Sequence, residues 1–554
     1  MLVKDKKADT SGTKYFNIFF IVIFFLMLVV PAVCINTKPL QISEIDNELL
    51  TEWPGLAFTE ENVEELENYA DDRIGFREQL VTLYITLNDR LFHVMTHPLF
   101  MYGEEGHIYY KDPSYITAFQ RMNTNEEWLD GFVDFLEKTN AYLKSRGIDF
   151  LYYLCPDKKT IYPEYFPKSV NVNYENKTVP EYIEEQLKKG VDGAVDVSED
   201  PGYEGPAVSY IIPIPQLTEA KKDQIVYNKL YDATHWNEDG AFIGHELIDN
   251  WIRERKEDVP KLKREDFTRE MDLKESLDIA KFPIHEEVPR YVPKSDTSSN
   301  FTDYLLPVIE CYTPTFYAHF TNPDCGNNRI LLIFTDSYFA TYLKFYQNRF
   351  SEVYFVHRQN YEYLQYYINL LFPDTVIFET AERSISGEMM EQTDFNDTVY
   401  EPPYTEAMAP TKEAVGQGSG LRYILSEING VTLEKTEEGK VLWLDVSEGD
   451  SIVSLNGFLF PEEGRSAQDY DIYARIGDAA VVETDYLALH RKNGLWTEAP
   501  SEEERPTYTE NPAEKAFSVN VQRRYLQEMQ IELFAVDTKD NVSYLLDTFN
   551  VKYQ

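Results

Sequence analysis

A regular alternation of helix-like and strand-like segments, between about residues 123 and 385, is the feature that most constrains the fold of this chain. Each strand-like segment is a short apolar run, and each helix-like segment repeats its apolar residues every three to four positions. Such alternation builds a mainly parallel sheet with helices on its faces. We therefore expect an α/β fold with a three-layer domain over residues 123–385, whose clearest strands are IDFLYYL, ILLIF, VYFV and TVIF.

Further elements are predicted from the same periodicity. Asn237 is a plausible N-cap for one helix. Residues 260–320 are polar, contain proline and show no clear period, so we expect either a lid or a long insertion there. The other predicted helices are the segment after Asn123, PEYIEEQLKK, TYLKFYQNRF and YLQYYINLL, and the other predicted strands are AVDV around Asp196 and QIVYN.

The N-terminal region contains an uncharged apolar run, Ile18 to Ile35, which is long enough to span a bilayer. Because Lys4, Lys6, Lys7 and Lys14 precede it, we expect residues 1–17 in the cytoplasm, residues 18–35 as a membrane anchor, and the rest outside the cell. The alternative is a cleaved signal peptide that ends at the small residues Ala32 and Cys34. The apolar run is longer than the usual core of such a peptide, which favours the anchor.

Three other regions flank the α/β domain. Residues 36–122 are expected to form a juxtamembrane entry segment that contains an amphipathic helix, Arg77 to Phe92, just outside the membrane; the structural alternative is that this helix packs against the main domain. Residues 386–420 contain EPPYTEAMAP and GQGSG and are expected to be a linker. Short alternating segments then predict a β-sandwich over residues 421–554, a kind of module that often binds sugars.

Composition excludes several classes of protein. The net charge is −43, which would repel phosphate backbones, so a nucleic-acid partner is not expected. Four cysteines in 554 residues exclude a disulfide scaffold. Cys311 and Cys325 could pair outside the cell, while Cys155 is predicted to be a core thiol at a strand end. His93 and His97 have the spacing of a helical metal pair, but Pro98 ends the helix, so neither a metal nor a cofactor is predicted.

Two short motifs carry the candidate chemistry. Ser337, in FTDSYF, directly follows an apolar strand, where an open α/β sheet places reactive groups. A serine hydroxyl needs a base within hydrogen-bond reach and a third group that orients the base. His235 is suited to be that base, and Asp232, three residues earlier, could hold its ring. The alternative is structural: Asp232 caps a turn, His235 binds a carbonyl and Ser337 caps the next helix.

These motifs resemble the SGNH hydrolase superfamily, whose nucleophile lies in a Gly-Asp-Ser block and whose base lies in Asp-x-x-His. Because the His block precedes the Ser block, the chain resembles the permuted branch of alginate O-acetyltransferases and DHHW-type proteins. The resemblance spans about residues 70–385 and includes DDRIGFREQL, MYGEEGHIYY, CPDKKTIYPEYFP, DATHWNEDGA and TVIFETAER. It implies Ser337, His235 and Asp232 as catalytic residues, with Lys158, Asp157, Tyr162, Thr335 and Arg383 as substrate or oxyanion candidates.

The chain departs from the pattern at two of these positions. Thr335 replaces the usual Gly of the Ser block, and Asp157 replaces a frequent Asn, so a second oxyanion donor beside the Ser337 backbone N–H is not assigned. The resemblance implies transfer of an acyl group, expected to be acetyl, to a cell-surface polysaccharide or to water, with a polytopic membrane acyltransferase as a possible donor system. The alternatives are a non-catalytic glycan-binding envelope protein and transfer of another acyl group, such as an amino-acyl ester.

Overall fold

The computed structural model describes only part of the chain. It describes residues 11–38, most of 42–55, 59–189 except 123, 208–278, 282–300, 302, 317–371, 373–385 and, beyond residue 420, the strands with some of the turns between them. The predicted strand around Asp196, the linker 386–420 and Cys311 lie outside the described residues. Cys155 is fully buried at the end of a strand, as predicted.

The N-terminal part begins with one long apolar helix. Within this helix, Tyr15–Val33 is long and apolar enough to cross a membrane, and most of its side chains lie on the outside of the protein. The end of this helix contacts the turn between the next two helices, where the Gly75 N–H donates to the Pro31 carbonyl at 2.9 Å. The elements of this part are α1 (Ser11–Val33), α2 (Glu60–Arg73), α3 (Arg77–Phe92), β1 (Phe100–Tyr102), β2 (Ile108–Tyr110) and α4 (Pro113–Phe119).

The middle of the chain forms the predicted alternation of helices and strands. Its elements are α5 (Glu126–Ser145), β3 (Asp149–Cys155), α6 (Lys158–Ile161), α7 (Val179–Lys189), β4 (Tyr210–Ile211), α8 (Ile214–Ala220), α9 (Glu238–Arg253), β5 (Phe267–Ser276), β6 (Pro283–Pro293), β7 (Ser299–Asn300), β8 (Ala318–Thr321), β9 (Ile330–Thr335), β10 (Glu352–His357), α10 (Leu364–Leu371), β11 (Thr375–Ala381) and α11 (Glu382–Ile385).

A seven-stranded sheet in the order β4-β3-β11-β9-β10-β8-β7 is the core of this part. The five strands from β4 to β10 are parallel, and β8 and β7 add antiparallel pairs at one edge. Successive side chains of β3 belong to different apolar clusters: Phe150 and Tyr152 pack with α5, α7 and α10, whereas Leu151 and Tyr153 pack with α8 and α9. The sheet therefore buries both faces, which explains why its strands are continuous apolar runs.

Two predicted elements of this part are wrong. The segment QIVYN is not a strand: the Val226 N–H lies 3.3 Å from the Tyr162 hydroxyl, and the Val226 carbonyl accepts from Asn237 N–H. A loop N–H and a side-chain hydroxyl thus form the hydrogen bonds that a neighbouring strand would otherwise form with this backbone. The segment TYLKFYQNRF forms a short 3-10 turn at Leu343–Phe345 instead of an α-helix, because the backbone N–H groups of Phe345 and Tyr346 donate to the carbonyl three residues back.

The polar segment 260–320 contains a hairpin that the sequence pattern did not predict. Strands β5 and β6 pair antiparallel and form a two-stranded sheet of their own. At its turn, Leu277 and Phe282 pack with Ile108 of β2 and with Ala233. The hairpin therefore joins the entry segment to the loop that contains Asp232 and His235.

The C-terminal part is entirely β among the residues described. Its strands are β12 (Arg422–Asn429), β13 (Thr432–Thr436), β14 (Gly439–Leu444), β15 (Ile452–Phe460), β16 (Tyr470–Ile476), β17 (Ala480–Glu483), β18 (Lys515–Gln522), β19 (Gln530–Asp537) and β20 (Val542–Tyr553). They form a three-stranded sheet, β12-β15-β18, and a six-stranded sheet, β13-β14-β20-β19-β16-β17. Both sheets contribute side chains to one apolar cluster, which includes Leu455 and Phe517 from the first sheet and Leu442 and Leu533 from the second.

Candidate active site

Ser337 lies two residues beyond the C-terminal end of β9, on a turn that Asp336 holds in place. The Asp336 carboxylate accepts from the backbone N–H of Tyr338 at 3.0 Å, which closes a local turn around the serine. Its other oxygen accepts from the N–H of Ala381 at 2.8 Å, which joins the turn to the end of β11. Burial raises the pKa of Asp336, but attraction to Arg358 and Arg383 outweighs burial and lowers it overall.

His235 lies on an irregular loop just before α9, whose N-cap is Asn237 as predicted. The Asp232 carboxylate accepts from the backbone N–H groups of Thr234 and His235, both at 2.8 Å, and so shapes the loop as a tight turn. Burial raises the pKa of Asp232, but attraction to His235 and these hydrogen bonds outweigh burial, so its pKa lies below the usual range. Asp232 is therefore an ionised acceptor at neutral pH.

The two motifs meet, although 102 residues separate His235 from Ser337 in the chain. His235 Nε2 lies 2.9 Å from Ser337 Oγ, and His235 Nδ1 lies 2.7 Å from Asp232 Oδ2. A carboxylate can only accept, so Nδ1 carries the proton and the lone pair of Nε2 faces the serine hydroxyl. This arrangement can remove the proton from Ser337.

Arg383 is the candidate from the sequence that comes closest to the serine. Its Nη2 lies 3.0 Å from Ser337 Oγ and 2.8 Å from His235 Nε2, while its Nη1 donates to Asp157 Oδ1 at 2.8 Å. Burial lowers the pKa of Arg383, but Asp157 and Tyr338 raise it above its ordinary value, so the guanidinium stays charged. A permanent cation therefore lies within hydrogen-bond distance of the serine hydroxyl.

Asp157 binds Arg383 on the side away from Ser337 and does not contact the serine itself. It is fully buried and receives hydrogen bonds from Arg383 and from Lys159, whose Nζ lies 3.2 Å from Asp157 Oδ2. Lys159 also forms a 2.6 Å ion pair with Glu382. The acid at position 157 therefore orients a cation within the site and does not place a negative charge next to the serine.

Lys158 is also turned away from the serine hydroxyl. Its buried Nζ donates to the carbonyls of Ile108 and Lys229 at 2.8 and 3.0 Å, and lies 3.4 Å from that of Asp232. Burial lowers the pKa of Lys158 to about 7, although Asp232 acts in the opposite direction. The side chain thus connects the backbone of the Asp232 loop to β2.

The structure places the remaining two candidates in supporting positions. Tyr162 packs its ring near His107 and Tyr165, and its hydroxyl faces the Val226 N–H. Thr335, the residue that replaces a glycine of the motif, is fully buried and donates its hydroxyl to Glu379 Oε2 at 2.7 Å. The extra side chain at position 335 therefore has an acceptor on the neighbouring strand β11.

Three other residues support the site and were not predicted from the sequence. The Tyr338 ring lies edge-on to His235 with centroids 4.6 Å apart. Glu379 accepts from Asp336 N–H at 2.8 Å, and burial next to Asp336 raises its pKa well above the usual range. Glu286, on β6, accepts from the backbone N–H groups of Lys229, Leu230 and Tyr231 at 2.6 to 2.8 Å. Because Tyr338 directly follows the predicted serine, its proximity to the site could have been predicted from the sequence. No sequence pattern predicts the role of Glu286.

Two neighbouring features are separate from this hydrogen-bonded arrangement. Asp278 brings a third ligand-type atom to within 4.8 Å of those of Asp232 and His235, but His235 and Asp232 already bind each other. A metal ion there would have to break that contact, so we assign none.

A cleft of about 390 Å³ is lined by residues that include Phe119, Lys159, Tyr174 and Glu382. Neither Ser337 nor His235 is among the residues that line it.

Comparison with known proteins gave matches among solved structures alone. No protein-family model matches the chain, and no curated protein does. PatB1 of Bacillus cereus is 17% identical, with a TM-score of 0.37, and the match covers 51% of this chain and 96% of PatB1. A DHHW family protein of Eubacterium siraeum is 15% identical, with a TM-score of 0.33 and coverage of 49% and 90%. The O-acetyltransferase domain of Pseudomonas putida AlgJ is 14% identical, with a TM-score of 0.34 and coverage of 56% and 97%.

The solved structures similar to this chain thus include the kinds of protein that the sequence motifs resemble, a DHHW family protein and an O-acetyltransferase domain. The contacts of the site itself, rather than these likenesses, support the function proposed next.

Proposed function

We propose that this protein is a serine O-acyltransferase or esterase whose nucleophile is Ser337. The observation that carries the proposal is the continuous hydrogen-bonded series from Asp232 through His235 to Ser337, with heavy-atom separations of 2.7 and 2.9 Å. A nucleophile, a base and a group that orients the base are the three parts that acyl transfer through a serine requires. The structural alternative explains each residue separately but not why His235 Nε2 faces the serine hydroxyl.

In the first half-reaction His235 takes the proton of Ser337 as Oγ attacks the acyl carbon of an ester. The carbonyl oxygen of the donor becomes an oxyanion, which the Arg383 guanidinium and the Ser337 backbone N–H stabilise. The tetrahedral species collapses, His235 returns the proton to the leaving alcohol, and the acyl group remains on Ser337 as an ester. Arg383 supplies the second donor that the sequence alone did not assign.

In the second half-reaction the acyl group leaves Ser337. A sugar hydroxyl or a water molecule gives its proton to His235 and attacks the acyl-serine, and Ser337 recovers the proton as it leaves. Transfer and hydrolysis share every protein group and differ only in the acceptor. We propose acetyl as the acyl group and a cell-surface polysaccharide as the acceptor, with transfer favoured over hydrolysis.

The other regions of the chain fit this activity outside the cytoplasm. We propose that α1 is a single-pass anchor with its N-terminal end inside, that residues 123–385 form a three-layer SGNH-like domain, and that residues 421–554 form a β-sandwich that binds the polysaccharide. An exported acyl donor would be needed, and a polytopic membrane acyltransferase is the proposed source.

The proposal is tested with the full-length protein and a chromogenic acetyl ester. We expect ester hydrolysis, stoichiometric modification of Ser337 by a sulfonyl fluoride, and loss of both in Ser337→Ala. Ser298→Ala, a change in a surface loop where the hydroxyl binds Asp296, is the matched control and should retain both. Equal activity in Ser337→Ala and wild type would exclude Ser337 as nucleophile and favour the non-catalytic glycan-binding alternative.

A further inference from the structure

One helix of the entry segment presents an apolar face to the outside of the protein. The apolar residues of α3 that recur at helical spacing are not buried on the main domain, which was the structural alternative for this helix. Each of them is between 46% and 66% exposed: Leu80, Leu83, Tyr84, Leu87 and Leu91. We call these five residues the outer stripe of α3. The helix itself, Arg77–Phe92, forms as predicted.

The opposite side of α3 binds the protein through polar contacts. Asp89 accepts from the Tyr102 hydroxyl at 2.8 Å, and Glu78 accepts from the Ser43 hydroxyl at the same distance. Ile85 is the buried apolar residue on this side and is only 1% exposed. Two charged groups of α3 thus contact the body while five of its large apolar groups face outward, which departs from the usual arrangement of a surface helix. Large exposed apolar patches mark interaction sites.

The position of α3 in the chain identifies what covers the stripe. Gly75, two residues before α3, is held at the end of the apolar helix α1, since its N–H donates to the Pro31 carbonyl at 2.9 Å. Asn36 N–H donates to the Arg73 carbonyl at 2.8 Å, which fixes the exit of α1 to the end of α2. The outer stripe thus begins where an apolar helix of membrane-spanning length ends.

We propose that α3 lies in the surface of the lipid bilayer, with its outer stripe inserted at the boundary between headgroups and acyl chains. Helices with one strongly apolar face bind in this position, and an aromatic residue with a polar tip, such as Tyr84, is favoured there. The proposal rests on α1 as a membrane span and is independent of the acyl chemistry. Since Ile85 shares an apolar cluster with Ala233, a membrane-bound α3 holds the His235 loop at a fixed height above the lipid.

Photo-crosslinking in vesicles tests the proposal directly. The full-length chain carrying Leu87→p-benzoylphenylalanine is reconstituted in phosphatidylcholine and phosphatidylglycerol vesicles, irradiated and analysed by mass spectrometry. We expect lipid adducts at position 87. Tyr174→p-benzoylphenylalanine is the control, because Tyr174 is 78% exposed but belongs to the main domain. Adducts at least about tenfold more abundant at 87 than at 174 support the proposal. Equal adducts at both positions, none at 87, or crosslinks to a second copy of the chain overturn it.

A second variant separates membrane contact from packing within the protein. Leu83→Gln, Leu87→Gln and Leu91→Gln are combined, with p-benzoylphenylalanine placed at Tyr84 in this chain and in the otherwise unchanged one. We expect the lipid adduct at position 84 to fall by about tenfold while the thermal midpoint in detergent is unchanged, because the replaced side chains face outward. A large fall in the midpoint, or an undiminished adduct, would overturn the proposal.

Discussion

Lys158 and Lys159 are adjacent, both buried, and held by opposite environments. Lys158 Nζ binds neutral carbonyl groups and lies 5.0 Å from the centroid of the Tyr109 ring, and burial lowers its pKa to about 7. Burial also lowers the pKa of Lys159, but attraction to Glu382 and Asp157 outweighs burial, so that its pKa lies above the ordinary value. One lysine therefore changes charge near neutral pH in the folded protein, and the other stays charged.

This difference predicts a distinct dependence of stability on pH. Between about pH 7 and the unfolded lysine pKa of about 10.4, the unfolded state binds a proton at Lys158 that the folded state does not, so the contribution of Lys158 to stability rises with pH. The free energy of unfolding of wild type, relative to that of Lys158→Met, should therefore increase from pH 7 to pH 9. Chemical denaturation at each pH measures this difference.

Lys159→Met is the matched control for this experiment. Because the folded pKa of Lys159 is raised, its stabilising contribution is fully present below the unfolded pKa and is lost only at higher pH. The difference between wild type and Lys159→Met should stay constant from pH 7 to pH 9. A flat difference for Lys158→Met as well would contradict the assignment of a neutral folded Lys158.

At Arg383 we predict that replacement by lysine impairs catalysis more than substrate binding. A lysine cannot reach Ser337 and Asp157 together with two nitrogens in a fixed plane, as the guanidinium does. Loss of one oxyanion donor typically lowers kcat by about 10²-fold or more, so kcat for the acetyl ester should fall by that order while KM changes little. A rise of KM with unchanged kcat would instead show that Arg383 contributes to substrate binding.

Sequence reasoning predicted the position of Ser337 at the end of a buried strand, because an apolar run followed by a polar turn is visible locally. The contact between Arg383 and Asp157 spans 226 positions, and no local pattern encodes such a pair. The same holds for Thr335, whose partner Glu379 lies on an adjacent strand. The sequence therefore predicted which residue types form the candidate site. The partners that position them could be identified only from the folded sheet.

At the scale of elements, the strands of the parallel sheet were predictable because both of their faces are buried. The hairpin of β5 and β6 was not, because most side chains of β5 are exposed and show no apolar period. For TYLKFYQNRF, aromatic residues three apart suit a 3-10 turn as well as a helix, so the sequence did not separate the two.

The hairpin leads to a prediction at Glu286. Its carboxylate accepts from three consecutive backbone N–H groups that precede Asp232, so Glu286→Gln should weaken the support of that loop. We expect kcat to fall on the order of tenfold with little change in KM, together with slower sulfonyl modification of Ser337. Glu287→Gln, a change at the exposed next position, is the control and should leave both rates unaltered. Equal effects at 286 and 287 would contradict a positioning role.

At the scale of the whole molecule, the α/β part and the C-terminal part have separate apolar clusters. Removal of residues 421–554 should therefore leave kcat/KM for a small acetyl ester unchanged, because Ser337 and every described partner of the site precede residue 386. Retention on purified cell-surface polysaccharide should be lost, which a pull-down measures. Retained binding would place the glycan site in the α/β part.

The hydrogen bonds that join the end of α1 to Arg73 and Gly75 leave almost no free tether between the apolar helix and the body that follows it. With α1 in the bilayer, such a protein would move as one piece in two dimensions, and lateral diffusion rather than motion of a flexible linker would bring it to the proposed polysaccharide acceptor. Its working rate would then follow the number of acceptor chains per area of membrane, and polymer released from the cell would escape modification.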